Sequence, residues 1–430
     1  MLGKTLAQCR MCRGGDLYLF LDLGFAPPSD SLLAPEHMNE PETFFPLRVV
    51  QCRTCGLTQL DHVVDPTHMY GEKYLYESSI TRTGQEHFFS MAKDIAAAFN
   101  LGANDLAVDI GSNVGVLLEG FKRCGLRVLG IDPAPRICAR ANERGIETWP
   151  ELMTQEVAAK IVAAKGQAKV VTATNVFAHI DQKDGLMAAI NQLLTPDGIF
   201  VIEAPYLVDL IDNLEYDTIY LEHLEYLSVK PLVQFFARHN LELFHVERYG
   251  IHGKSIRVFV GRPGQYPVSA SVQTLIQLET DKKIYDRNSL DQFAAKVLNH
   301  KMTLTELLVS LKAQGKKIVG ISAPAKGNTI LNYCHFDSAL ISCIAEKSDI
   351  KPGRFTPGMH IPIISEDQLK AEQADYGIIF AWNFAEEIMR NVSWFIEQGG
   401  QFIIPIPDIR IVSGPRNHIQ FSPNNKQTVC

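Results

Sequence analysis

The stretch Asp109-Ile-Gly-Ser-Asn-Val-Gly-Val-Leu117 decides the fold. It closes an apolar run, residues 106–110, that reads as a buried strand, and it opens a run, 116–124, that reads as a helix. Gly111 and Gly115 bracket the tight turn between them. A second strand over 127–131 follows and ends in Asp132. A strand, a glycine turn, a helix and a second strand ending in an acid make a nucleoside-binding unit. The glycines let backbone approach a ligand closely, and the acid holds a ribose diol. The turn reads D-x-G-x-x-x-G, not G-x-G-x-x-G. That spacing suits S-adenosylmethionine (SAM) better than a dinucleotide, because SAM has no pyrophosphate to cradle. A sulfonium donor makes methyl transfer the leading chemistry.

Composition bounds the rest. A chain of 430 residues is too long for one core and implies two or three domains. Its 46% apolar and 21% charged content is that of a globular protein. No apolar stretch reaches the roughly 18 residues a membrane span needs. The first 21 residues carry Cys, Arg and Asp where a signal peptide needs an unbroken apolar core. A cytoplasmic location and no membrane partner are therefore expected. A net charge of -7 argues against nucleic acid as a partner, since phosphate neutralisation wants a basic face.

Four of the nine cysteines form two knuckles, Cys9-Arg-Met-Cys12 and Cys52-Arg-Thr-Cys55. In a reducing compartment paired knuckles read as metal ligands more than as disulfides. Four thiolates at these spacings make a closed tetrahedral zinc site with no place for substrate, hence a structural one. The 39 residues between the knuckles must form their own hairpin or loop.

Three modules follow from the pattern. Residues 1–75 form a turn-rich zinc-binding domain with short strands over 16–22 and 45–51. Residues 76–268 read as an α/β domain entered by a helix over 85–99. Strands are expected at 107–110, 127–131, 146–149, 170–173 and 199–202, alternating with helices near 115–124, 134–144, 154–165 and 184–194. That alternation argues a parallel sheet with helices on both faces. Two strands over 242–248 and 255–261 are joined by so short a link that they make an antiparallel hairpin. A parallel sheet closed by an antiparallel last strand is the class I SAM-methyltransferase fold, which is Rossmann-like. Residues 269–430 are helical by period to 313. They then start a second α/β Rossmann-like pattern with strands over 317–322, 339–346, 376–382 and 401–406. The last 14 residues are polar.

Over nearly its whole length the chain resembles the SAM-dependent deoxysugar C-3-methyltransferases that act on dTDP-linked 4-keto sugars and carry an N-terminal zinc-binding domain. The motifs run in family order. After the knuckles come Tyr74-Leu-Tyr76-Glu-Ser-Ser79, the glycine turn, Asn175-Val-Phe-Ala-His179 and Glu203-Ala-Pro-Tyr206. The distinctive block is Tyr216-Asp-Thr-Ile-Tyr220-Leu-Glu222-His223-Leu-Glu-Tyr226. Ala323-Pro-Ala-Lys326-Gly-Asn328-Thr329, Glu346-Lys-Ser and Gly353-Arg354-Phe-Thr356-Pro-Gly-Met-His360 close the series. Three positions depart from the family pattern: Leu221 replaces a histidine, Val114 an acid, and Lys254 a glycine.

The resemblance implies C-methylation of a dTDP-linked 4-keto-6-deoxy sugar at C3. The 4-keto group acidifies the neighbouring carbon, and the resulting enolate attacks the sulfonium methyl. His223 is the implied base, the one residue of the block whose unperturbed pKa lies near neutrality. Glu222 orients it or holds a sugar hydroxyl. Tyr220 and Tyr76 are candidate donors to the keto oxygen, and His179 is a further polar contact at the ligand-bearing sheet edge. Asp109, Gly111, Asn113, Gly115, Asp132 and Asn175 are the implied SAM contacts. Lys326, Asn328, Thr329 and Arg354 are implied to meet the diphosphate. Cys9, Cys12, Cys52 and Cys55 hold zinc. Two other readings stay open: a relative with altered sugar-nucleotide chemistry or none, and an RNA methyltransferase with a zinc module, which would want a basic stripe that this acidic chain lacks. Oligomeric state is left undetermined.

Overall fold

The Leu106–Ile110 strand, apolar apart from its single Asp109, is buried at every position in a seven-stranded sheet. In spatial order the strands are Glu242–Tyr249, Ser255–Gly261, Leu194–Pro205, Ala168–Thr174, Leu106–Ile110, Arg127–Ile131 and Thr148–Trp149. The last five are parallel. Ser255–Gly261 enters antiparallel against Leu194–Pro205, with Phe200 opposite Val260 and Pro205 opposite Ser255. This is the expected class I methyltransferase topology. From Leu106–Ile110 the chain winds outward to one edge, returns, and continues to the other side at Ala168–Thr174. The order therefore reverses between those two strands, and a crevice opens at their carboxyl ends.

The structure, a computed structural model, describes residues 2–69, 82–250, 254–414 and 418–420. Tyr76, with the motif around it, the Gly253 of the hairpin link and nearly all of the polar C-terminal run lie outside the described residues. The described chain forms two compact units. The first comprises Met1–Tyr18, Val50–Val208 and Leu224–Tyr285; the second comprises Leu19–Val49, Asp209–His223 and Asp286–Cys430. Among the described residues no helix is long and apolar enough to cross a membrane.

In the first unit one face of the sheet is covered by the Arg82–Ala98 and Val116–Arg123 helices. Phe88, Met91, Ala92 and Ile95 of the former meet Leu117, Leu118 and Phe121 of the latter over Ala107, Val170 and Val201 of the sheet. The Thr58–Leu60 strand of the knuckle region pairs antiparallel with Glu225–Tyr226, Gln59 lying opposite Glu225. The loop between the knuckles leaves this unit, since Leu19–Val49 packs with the second.

The second unit has its own sheet, ordered Ile363–Ser365, Ile344–Glu346, Ile318–Ile321, Tyr376–Ile379, Gln401–Ile404, Arg410–Val412 and His418–Gln420. The first five strands are parallel and the last two antiparallel. Val319, Ile321, Ile379, Phe395 and Phe402 form part of its core. Two sequence expectations need correction. The strand expected over 339–346 shrinks to Ile344–Glu346, because Asp337 caps the Ala339 N–H at 3.0 Å and makes the preceding residues a turn. The continuous helical run over 270–313 is two helices, Ala270–Asp281 and Arg287–Ala313, broken where Lys283 takes a left-handed φ of 54°.

Phe121, on the Val116–Arg123 helix, is fully buried in the core that this helix and Arg82–Ala98 form over the sheet. Phe121→Ala should cost about 3–5 kcal/mol, the range for deleting a core aromatic. It should be read as a lowered urea midpoint with an unchanged slope.

Candidate active site

Leaving Ile110, the chain turns through left-handed conformations at Gly111 (φ 67°), Asn113 (φ 50°) and Gly115 (φ 77°). A Cβ on Gly111 would lie 2.6 Å from a Val176 methyl, and one on Gly115 would lie 2.7 Å from an Ile146 methyl. Both backbone angle and space demand glycine there. Asn113 tolerates the same region, and its Oδ1 accepts the Val114 N–H at 2.9 Å. The loop is tied to the next strand by the Asp132 carboxylate. Its Oδ2 accepts the Asn113 N–H and its Oδ1 the Ala134 N–H, each at 3.0 Å. Each oxygen keeps a lone pair for a ligand hydroxyl. The Ser112 Oγ is buried and has no hydrogen-bond partner among the described residues. A tight glycine loop, an acid after the second strand and an unsatisfied hydroxyl between them fit an adenosyl donor. Asp109 accepts from Thr172 Oγ1 at 2.6 Å, and burial pushes its carboxyl up to about 7. Asn175 is also left-handed (φ 55°), and its N–H donates to the Glu203 carbonyl at 2.7 Å. His179 ends the Phe177–His179 3₁₀ turn, with its N–H on the Val176 carbonyl at 2.9 Å.

Cys9, Cys12, Cys52 and Cys55 converge in the same unit. Their sulfurs all lie within 4.8 Å of one another, with 3.6 Å between Cys9 and Cys55 and 3.4 Å between Cys12 and Cys52. A tetrahedral zinc with Zn–S bonds of about 2.3 Å sets neighbouring sulfurs about 3.8 Å apart, so the donor set fits zinc and leaves no open coordination position.

The second unit holds the Tyr216–His223 block together with all four residues implied to meet the diphosphate. The block is a 3₁₀ turn, Tyr216–Thr218, followed by irregular chain, and it is held at several points. The Tyr216 hydroxyl donates to His300 Nδ1 at 3.0 Å, while His300 Nε2–H donates to the Pro405 carbonyl at 2.7 Å. Trp382 Nε1–H donates to Asp217 Oδ2 at 2.6 Å. Thr329 Oγ1 donates to the Ile219 carbonyl at 2.9 Å, and Asn328 Nδ2 to the Ser29 carbonyl at 2.6 Å. Thr329 thus holds the block directly, and Asn328 holds Ser29, whose N–H donates to Glu222 of the block. Lys326 lies 4.3 Å from the Trp382 ring centroid and donates to Asn383 Oδ1. Burial pulls its ammonium down, against the nearby Asp217 and Glu215. Arg354 makes no side-chain hydrogen bond or ion pair among the described residues.

His223 and Tyr220 form a close pair. The imidazole Nδ1 lies 2.8 Å from the Thr218 carbonyl, which can only accept, so Nδ1 carries the proton. Nε2 is then the basic nitrogen, and the Tyr220 hydroxyl donates to it at 2.7 Å. Glu222 points into buried space. Its Oε1 accepts the Ser29 N–H at 3.0 Å, and its Oε2 has no hydrogen-bond partner among the described residues. Burial, reinforced by the neighbouring Asp30, pushes its carboxyl up to about 8. Of the family departures, Leu221 and Val114 are both buried in the core.

One cluster was not singled out from the sequence. Glu203, at the carboxyl end of its strand, accepts from His87 Nε2 at 2.5 Å and from Arg257 Nε and Nη2 at 2.9 and 2.8 Å. Burial raises its carboxyl, but His87 and Arg257 outweigh that and hold it below the ordinary range. The signal was present: a lone glutamate in the apolar run Ile199-Phe-Val-Ile-Glu-Ala204 demands a buried partner.

Sheet order and donor loop define a SAM-dependent methyltransferase. Family models agree along the chain: a zinc binding domain over residues 9–70, a methyltransferase domain over 86–246 and a C-methyltransferase C-terminal domain over 250–407. The C-methyltransferase NovU of Streptomyces niveus is 35% identical over 411 residues, 95% of this chain and 98% of that protein. The chain belongs to this C-methyltransferase family. A ubiquinone biosynthesis O-methyltransferase of Cupriavidus pinatubonensis is 31% identical over 102 residues, 23% of this chain and 41% of that protein. Among solved structures, magnesium protoporphyrin IX methyltransferase from Synechocystis with bound SAH is 14% identical with a TM-score of 0.33, covering 41% of this chain and 82% of that one.

Two outcomes follow from this geometry. Protein purified without chelator should carry stoichiometric zinc by elemental analysis, and Cys52→Ser should lose it, with solubility suffering before SAM affinity does. The second concerns Glu222. The native chain keeps a proton there up to a pH of about 8, whereas the unfolded chain releases it near about 4.3. Between those values the unfolded state binds fewer protons, so stability falls as pH rises. Glu222→Gln still accepts from Ser29 and stays neutral. Its thermal midpoint should exceed that of the wild type above pH about 8 and converge with it near pH about 5.

Proposed function

We propose that this chain transfers a methyl group from SAM to C3 of a dTDP-linked 4-keto-6-deoxy sugar. The observation that carries the reading is the His223 imidazole, whose tautomer is set by the Thr218 carbonyl so that Nε2 is the base. The sugar class rests on the sequence resemblance, and the likeness to NovU supports carbon as the methylated atom.

SAM, held by Asp109, Gly111, Asn113, Gly115, Asp132 and Asn175, supplies the electrophilic methyl that the substrate's enolate carbon takes. The remaining work belongs to the side chains. His223 Nε2 removes the C3 proton once the Tyr220 hydroxyl turns from it to the keto oxygen. The imidazolium that forms keeps its Nδ1–H on Thr218, so no reorganisation accompanies the transfer. Tyr220 donates to the developing enolate oxygen. Glu222, neutral because buried, offers its Oε2–H to a sugar oxygen. His179 and Tyr76 add polar contacts. The N-terminal backbone of the Ala325–Cys334 helix, with Lys326, Asn328, Thr329 and Arg354, meets the diphosphate.

The test is solvent deuterium wash-in at C3 of a dTDP-4-keto-6-deoxyhexose, which follows enolisation without methyl transfer. His223→Asn should slow wash-in and turnover by roughly 10²–10⁴, the contribution of a positioned base, and leave SAM affinity by calorimetry unchanged. Exchange at the wild-type rate would move the base to another residue.

A further inference from the structure

Arg10 lies inside the first zinc knuckle, between Cys9 and Cys12, yet its side chain is 1% exposed and its hydrogen bonds among the described residues go to groups other than the cysteines. Its Nε donates to Asp181 Oδ1 at 3.1 Å, and its Nη1 donates to the Leu60 carbonyl at 2.6 Å and the Leu224 carbonyl at 3.2 Å. Its own N–H is fixed by Gln59 Oε1 at 3.0 Å. Every one of these partners belongs to the first compact unit.

Besides the knuckle-region strand at Gln59 and Leu60, the partners lie on two chain segments next to proposed site residues. Asp181 lies two residues beyond His179. Leu224 directly follows His223. The two segments are also joined to each other. The Leu224 N–H donates to the Ala178 carbonyl at 3.0 Å, and Lys183 reaches both the Phe177 carbonyl and, at 3.0 Å, Glu225 Oε2. Lys183 and Glu225 are wholly buried. The Phe177–His179 turn therefore has one carbonyl on Lys183 and another on Leu224, and its exit at Asp181 is on Arg10. A guanidinium suits this task because its planar fork reaches a carboxylate and two carbonyls at once, which an ammonium cannot do with the same geometry.

The base of Arg10 is fixed by the knuckle itself. The Cys9 N–H donates to the Gly14 carbonyl at 2.8 Å and the Arg13 N–H to the Cys9 carbonyl at 3.0 Å. Four thiolates on one zinc would lock that turn. We propose that Arg10 is a positioning residue that carries the order of the four-cysteine site to the His179 turn and to the backbone at Leu224, so that the zinc module sets site geometry as well as folding its own segment. The proposal rests on the reading of His179 and His223 as site residues.

The test compares Arg10→Gln and Arg10→Lys with the wild-type full chain. The readouts are zinc content, SAM affinity by calorimetry, amide hydrogen exchange, and steady-state kinetics with a dTDP-4-keto-6-deoxyhexose. Arg10→Gln should keep its zinc and its SAM affinity within about twofold. Amide exchange at His179 and Leu224 should rise at least about tenfold, with Leu106–Ile110 and Ile318–Ile321 unchanged. Turnover should fall at least about tenfold with the KM for SAM unmoved, and Arg10→Lys should recover part of both effects. Chelation of wild-type protein should raise exchange at the same two amides, which decides the matter if Arg10→Gln does not fold. Wild-type protection at His179 and Leu224 in zinc-loaded Arg10→Gln would overturn the proposal, as would a uniform rise across both sheets. If the wild type does not turn over this sugar, the substrate reading fails while the exchange data still decide the role of Arg10.

Discussion

Buried polar groups on irregular backbone have to find partners from distant parts of the chain, and the donor loop of the first unit and the Tyr216–His223 block of the second are each built on that requirement. The donor loop has no regular structure between Ile110 and Val116, and the Asp132 carboxylate, one strand away, takes up its Asn113 N–H. The Tyr216–His223 block has only a single 3₁₀ turn of its own. It is shaped by Thr329 on the Ile219 carbonyl, Trp382 on Asp217 and Ser29 on Glu222. Without those bonds, each buried group would carry a desolvation cost of about 1–3 kcal/mol, enough to dissolve the local conformation.

The same burial separates two glutamates by charge. Glu203 faces an arginine and a histidine, and these hold it ionised against desolvation. Glu222 faces backbone N–H groups and the acidic Asp30, and desolvation keeps its proton on. One is a fixed anion that orients a cation and an imidazole, and the other is a neutral acid able to donate. Residue type alone does not distinguish them; what surrounds each carboxyl does.

His223 shows how a carbonyl selects a tautomer. The Thr218 oxygen can only accept, so it assigns the proton to Nδ1 and leaves Nε2 basic toward Tyr220. His300 repeats the arrangement with its nitrogens exchanged: Nε2–H on the Pro405 carbonyl and Nδ1 accepting from Tyr216. That second pair anchors the start of the block that the first pair ends.

Much of this protein was legible as sequence because the deciding features are local. Glycine spacing, an acid one strand later, paired Cys-x-x-Cys knuckles and an apolar hairpin at the end of an alternating pattern all act within a few residues, so the class I sheet, the SAM loop and the four-thiolate site could be read directly. Where propensity met longer-range demands, the reading slipped. The strand over 339–346 lost its first half to a turn capped by Asp337, and one helical run became two at Lys283. What tertiary structure alone decided is which groups face each other: Glu203 with His87 across 116 positions, Arg10 with Leu224 across 214, Asn328 with Ser29 across 299. Protonation state, tautomer and the grouping of Asp209–His223 with the C-terminal sheet depend on desolvation and on hydrogen bonds between such distant partners, and those exist only once the chain has packed.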